Sequence, residues 1–221
     1  MSCHTKYLFA HLLLSAPRRC ASPLDIAFII DGSKSMGFEN YLKEKEYVKT
    51  MAAVLEISEA GSHAAVIVYS RDGVVEIDFR QGDDLKRFNQ KMDSLRFYNQ
   101  ETRIDKALIV AESQLFNSRG GHRRQVPKVV VLLVDGRTTV AKDSVPLGRA
   151  SQPLKDIGAK IFVVGVGNNF DKNEMAAVAT SPNNIFAVGG FDELLPSIAT
   201  IISKTCEASG MLTIENNSSM N

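Results

Sequence analysis

No apolar run in this sequence approaches the roughly 20 residues that a membrane-crossing helix needs, so a spanning segment of that kind is excluded. An excess of one charge is missing as well: 26 Lys and Arg stand against 25 Asp and Glu, a formal net charge of +1. Bulk electrostatics therefore select neither a nucleic acid nor an acidic surface as partner. Cysteine is scarce. Cys3, Cys20 and Cys206 form no Cys-x-x-Cys pair, which argues against a zinc or redox site. His4, His11, His63 and His122 are scattered and offer no nucleophile–base–acid set. Gly165-Val166-Gly167 lacks the third glycine of a dinucleotide loop, and no Gly-Lys-Ser/Thr phosphate loop occurs, so the pair reads as a tight turn. There is no internal repeat and no low-complexity stretch. What remains is ordinary globular composition, 44% hydrophobic and 23% charged over 221 residues, enough for one domain with a full core.

Strand-like and helix-like segments alternate after Cys20. Residues 24–30 are almost wholly apolar, as expected of a strand buried on both faces. Residues 41–57 read as a helix with Tyr47, Val48, Met51, Val54 and Leu55 on one face and Lys43, Glu44, Lys45 and Glu46 on the other. Residues 64–69 and 74–79, separated by Arg71-Asp72-Gly73, read as a hairpin whose second strand is an edge. Helices follow over 84–95, 104–116, 144–157, 173–180 and 192–203, with strands over 129–134, 161–166 and 185–188. Pro196 falls in a first helical turn, where its missing N–H does little harm. The alternation predicts an α/β fold: a doubly wound, mostly parallel six-stranded sheet with one antiparallel edge strand and helices on both faces. The domain spans 20–206, with a leader over 1–19 and a polar tail over 207–221.

The chemistry gathers where strands end. Asp31-Gly32-Ser33-Lys34-Ser35 follows the first strand, Asp135 follows the strand 129–134, and Thr102 enters the helix beginning at Ile104. In an open α/β sheet, loops at the carboxyl ends of central strands converge on one crevice. Two carboxylates and three hydroxyls meeting there make a set of hard oxygen donors suited to Mg²⁺, or to Mn²⁺ or Ca²⁺. A lone Asp-x-Ser-x-Ser often only closes a turn or caps a helix; the joint presence of all five positions gives the pattern its weight.

These motifs resemble those of a von Willebrand factor type A domain. The likeness is carried by residues 23–36, by Thr102-Arg103-Ile104-Asp105-Lys106-Ala107-Leu108, by Val134-Asp135-Gly136-Arg137 and by Phe191-Asp192-Glu193-Leu194. It is strongest toward extracellular-matrix members: matrilins, the collagen VI class, cochlin and cnidarian matrix proteins. The resemblance implies a metal-ion-dependent adhesion site and no enzymatic activity. Ser33 and Ser35 would ligate the ion directly, Thr102 directly or through water, and Asp31 and Asp135 mainly through water. An Asp or Glu from a matrix protein, collagen among the candidates, would complete the coordination. Where the family often has Gly-Gly before the threonine, this chain has Asn99-Gln100-Glu101. That bulk is expected to stiffen or cover the rim, and Glu101 to compete with a partner's carboxylate. Val134 stands where the family often has threonine.

Cys20 and Cys206 bracket the domain and are either free thiols or a bridge. A bridge would stabilise by about 5 kcal/mol in the chain-entropy model and imply an oxidising, extracellular setting. Flanking cysteines are also a habit of the matrix members. Lys6 ahead of the short apolar run 7–16 resembles a secretory signal; His11 and Pro17 count against it, and the alternative is a frayed leader from an incomplete gene model or a larger protein. Asn216 and Asn217 begin overlapping glycosylation sequons, a pattern common by chance. Arg119, His122, Arg123, Arg124 and Lys128 read as a solvated loop or a patch for acidic polymers. Three functions are weighed: a metal-dependent adhesion module, a metal-independent structural module, and a Mg²⁺-dependent phosphohydrolase. The last wants a second acid where Ser33 stands.

Overall fold

The computed structural model describes residues 23–208. The leader, Cys20 and the sequons at Asn216 and Asn217 lie outside the described residues. In chain order the elements are β1 (Asp25–Asp31), α1 (Phe38–Val54), β2 (His63–Tyr69), β3 (Gly73–Ile77), α2 (Leu85–Ser94), α3 (Ile104–Val110), β4 (Lys128–Val134), α4 (Leu147–Asp156), β5 (Lys160–Val166), α5 (Lys172–Val178), β6 (Ile185–Val188) and α6 (Leu194–Ala208). Residues 104–116, expected as one helix, divide: α3 widens at Ala111–Leu115 into a π turn, where Phe116 N–H reaches Ala111 O.

The six strands lie in the order β3-β2-β1-β4-β5-β6. Only β3 runs antiparallel, paired with β2 at the edge. β1 is flanked on both sides by parallel partners, β2 and β4. The strand order reverses between β1 and β4, so the loops after these two strands diverge to opposite faces and leave a crevice between them.

Period-two alternation along β1 feeds two cores. Ile26, Phe28 and Ile30 pack with α1, α2 and α6, through Tyr47, Met51, Phe88, Met92, Ile198 and Ile201. Ala27 and Ile29 pack with α3, α4 and α5, through Leu108, Leu115, Leu154 and Met175. Burial on both faces explains why β1, β2 and β4 are almost continuously apolar.

The polar face expected for α1 is only partly there. Glu44 and Lys45 are buried. Tyr41, Glu44, Val48 and Met51 are spaced by three, four and three residues, which places them on one side of a helix. Glu44 thus follows the geometric period and not its polarity. Lys45 buries its stem and carries its ammonium out to Asp93 O at 2.9 Å. Arg123 also departs from the solvated-loop reading: its guanidinium is bound to the fully buried Asp25 of β1 and to the carbonyls of Gly61 and Leu24.

Candidate metal centre

β1 delivers Asp31 fully buried at the carboxyl edge of the sheet. The chain must then turn sharply under β2. Gly32 N–H donates to Tyr69 O at 2.7 Å, and a Cβ at residue 32 would stand 2.6 Å from Val68 Cγ1, so only glycine fits. Ser33 N–H donates to Asp31 Oδ1 at 2.7 Å, closing a turn that aims the Ser33 hydroxyl back over the strand end. Ser33 Oγ and Ser35 Oγ lie 3.0 Å apart, and Ser35 Oγ lies 3.4 Å from Thr102 Oγ1. Three hydroxyls, two of them 67 and 69 residues from the third, therefore share one spot.

Thr102 is held from both sides. Its N–H reaches Thr139 Oγ1 at 3.2 Å, and its carbonyl accepts Thr139 N–H at 2.6 Å and the Thr138 hydroxyl at 3.3 Å. Residues 138 and 139 belong to the loop that follows Asp135, so the Thr102 and Asp135 loops are stitched together. Upstream, Asn99 N–H donates to Gly32 O and Lys34 N–H to Gln100 O, both at 2.8 Å, while Gln100 N–H reaches Ser70 Oγ at 2.9 Å. The segment 99–101 is docked along the serine loop and does not project over it. Asn99 takes a left-handed conformation, φ 57°, which asparagine tolerates better than most residues. Asn99→Gly is expected to leave stability within about 0.5 kcal/mol of wild type, whereas Asn99→Val loses about 1–2 kcal/mol in urea denaturation.

Glu101, the expected competitor, is paired with Arg71 in the structure. Arg71 holds both its oxygens, Nε to Oε2 at 2.9 Å and Nη2 to Oε1 at 3.3 Å, which ties the carboxylate to the loop after β2. Behind Thr102, Arg103 forms a fork on Asp105 with two 2.9 Å bonds and reaches Asp143 with its third nitrogen. Asp105 Oδ2 also accepts Val145 N–H at 3.0 Å, pinning the loop of residues 138–145 to the start of α3. The threonine pair and this ion network lie outside the five candidate ligand positions. A basic residue and an acid two positions apart, directly after the candidate ligand Thr102, are its signal in the sequence.

The carboxyls are the electrostatic centre of the site. Burial, then the neighbouring charge of Asp135, lifts Asp31 to about 7. Burial also raises Asp135 above its ordinary value. Glu44, wholly enclosed, is pushed well above the usual range by burial and then by Asp31. Asp31 Oδ2, Asp135 Oδ1 and Glu44 Oε1 are buried and, with the carboxyls ionised, have no hydrogen-bond donor; Asp31 and Asp135 lie close enough to share a proton when one is neutral. Unpaired buried acceptors are expensive, and a cluster of them lacking positive charge fits a cation. The Ser33–Ser35 spacing also fits: adjacent ligands at about 2.0–2.1 Å from Mg²⁺ in an octahedron lie about 2.9 Å apart. Among the described residues no three His, Cys, Asp or Glu side chains form a metal cage by themselves, so the hydroxyls are integral to the donor set.

Residues 25–200 match the family model of the von Willebrand factor type A domain. The chain belongs to that family. Matrilin-1 of Gallus gallus is 30% identical to this type A domain over 161 residues, which cover 73% of this chain and 31% of the relative. The human collagen alpha-1(XX) chain is 29% identical over 189 residues, covering 84% of this chain and 14% of the relative. The chain thus spans less than a third of either relative. Proximal thread matrix protein 1 of the mussel byssus superposes with a TM-score of 0.80 at 23% identity, covering 85% of this chain and 48% of that one. A second structure of the mussel protein, described as having a zinc-occupied MIDAS motif, gives a TM-score of 0.77 at 25% identity, with 85% and 47% coverage.

Proposed function

We propose that this type A domain is a secreted module of extracellular-matrix adhesion or assembly, which engages a partner protein through a divalent cation. The observation that carries the reading is the convergence of three hydroxyls and two carboxyls with unpartnered oxygens at one strand-end crevice. Ser33 and Ser35 would ligate the ion directly, with Thr102 beside them, and Asp31 and Asp135 would act through water. Mg²⁺ suits this half-open arrangement because it keeps waters readily; Mn²⁺ and Ca²⁺ accept the same oxygens. Neutral hydroxyls in direct contact would leave the ion electrophilic. When bound, it would supply a Lewis-acidic position for an Asp or Glu of a matrix protein, with collagen one candidate.

The domain's own part is preorganisation. Gly32 sets the serine turn, Asn99 and Gln100 brace it, and Thr138 and Thr139 fix Thr102. Arg71 keeps Glu101 occupied. No Lys or Arg among the described residues forms an ion pair with Asp31 or Asp135. Cys206 is buried near the end of α6, and we assign Cys20 as its disulfide partner, in keeping with an oxidising compartment. A phosphohydrolase reading lacks its second acid, since Ser33 occupies that position.

The test is capture of partners from a matrix extract by the immobilised protein. Binding is expected with Mg²⁺ and to fall at least tenfold in chelator or in the Asp31→Ala/Ser33→Ala variant. Capture that is indifferent to both treatments would overturn the metal reading and leave a metal-independent structural module.

A further inference from the structure

We propose that Glu44 is a positioning residue of the cation site, holding Asp31 in place and adding a third buried carboxyl beside those of Asp31 and Asp135. The inference rests on the metal reading above. Glu44 lies on α1, is fully buried and accepts Asp31 N–H on Oε2 at 2.9 Å. That bond secures the end of β1 at the residue from which the serine loop starts. Its other oxygen, Oε1, has no partner.

Six buried side-chain oxygens and nitrogens lack a hydrogen-bond partner among the described residues, and three of them belong to Glu44, Asp31 and Asp135. No Lys or Arg among the described residues forms an ion pair with Glu44. Its neighbours on the same helix face, Tyr41, Val48 and Met51, are those of an ordinary core position. A leucine there would fill the core and leave no polar oxygen unmet, but it would strip Asp31 N–H of its acceptor. A buried acid at such a place is compensated by a proton or by positive charge arriving from outside the protein, and the adjacent crevice is where a cation would sit.

Glu44 is not a ligand in this arrangement. Its bonded oxygen faces the backbone of β1, while the hydroxyls that would touch the ion lie beyond Asp31. It acts through Asp31, by orientation and by field in a low-dielectric interior. In this arrangement Glu44 would help the site hold a cation when no partner supplies a carboxylate.

Titration calorimetry with MgCl₂ and with MnCl₂, and thermal melts with and without EDTA, test this on the full chain. Glu44→Gln keeps the shape and the acceptor for Asp31 N–H but removes the charge. It is expected to bind Mg²⁺ at least tenfold more weakly, to show a smaller Mg²⁺-induced rise in melting temperature, and to melt in EDTA no lower than wild type. A merely structural glutamate would do the reverse, lowering the metal-free melting temperature and leaving affinity alone. Mg²⁺ affinity in Glu44→Gln within twofold of wild type overturns the inference. A wild-type protein that takes up neither cation overturns instead the metal reading beneath it.

Discussion

Arg103→Ala is expected to lose about 3–5 kcal/mol of folding stability at pH 7, the range for stripping one partner from a buried ion pair. The guanidinium side chain is 6% exposed and the Asp105 side chain 2%, so the carboxylate left behind would have little water to turn to. Only the backbone N–H groups of Val145 and Lys106 would remain on it. The loss is a large share of the 5–15 kcal/mol typical of a domain. It reaches the candidate site too, because the same guanidinium anchors Asp143 and thereby the loop that holds Thr102. The Mg²⁺-induced rise in melting temperature should shrink together with stability.

The pH dependence of this variant has a definite sign. Burial would raise the Asp105 carboxyl, but the Arg103 fork and the Val145 N–H more than reverse it and hold the group below its ordinary value. Asp143, bonded by Lys106 and Arg103, is lowered to about 2. An acid whose pKa is lower in the folded state stabilises above its unfolded pKa of about 3.9 and ceases to do so as the pH falls. The stability gap between wild type and Arg103→Ala, read by urea denaturation followed by circular dichroism, should be widest near neutrality and narrow below about pH 4. A gap independent of pH would show that the ion pair is not its source.

Arg123→Ala should lose a comparable 3–5 kcal/mol by a separate route. Asp25 opens β1 with no exposed surface, and Arg123 supplies three donors to its carboxylate, two from the guanidinium and one from its own backbone N–H. Two further bonds, to Gly61 O at 2.9 Å and Leu24 O at 3.2 Å, draw the segments before β2 and β1 together. This clasp lies at the opposite end of β1 from Asp31. The variant is therefore expected to unfold at lower urea while binding Mg²⁺ with unchanged affinity at temperatures where it is folded. Together the two arginines separate damage to the fold from damage to the site. Loss of cation affinity in Arg123→Ala under folding conditions would contradict that separation.

Much of this was legible in the residues, for physical reasons. Strands buried on both faces announce themselves as unbroken apolar runs, and β1, β2 and β4 are of that kind. Asp31 and Asp135 are visible because an acid terminates each of two such runs. The neighbouring positions of β1 and β4 follow from the topology. What stayed hidden are residues whose role depends on where a side chain ends. Glu44 belongs with Glu46 by chemistry but with Tyr41 and Val48 by spacing, and spacing prevails because α1 has only one side to bury. Arg123 sits in a basic, glycine-bearing stretch that resembles solvent-facing loop. The clue lay 98 residues away, in the acid Asp25 at the start of a strand with no exposed surface. Arg71 and Glu101 are paired by folding of two loops, which local sequence does not encode.

The path of β1 has a mechanical consequence. The strand runs without interruption from Asp25 at one edge of the sheet to Asp31 and the serine turn at the other, with hydrogen-bonded neighbours on both sides. A tug delivered at the serine turn and resisted upstream of Pro23 is carried lengthwise by covalent bonds within a single strand. To pull that strand out, both ladders must shear at once, so the central strand is the part of the molecule best suited to bear tension.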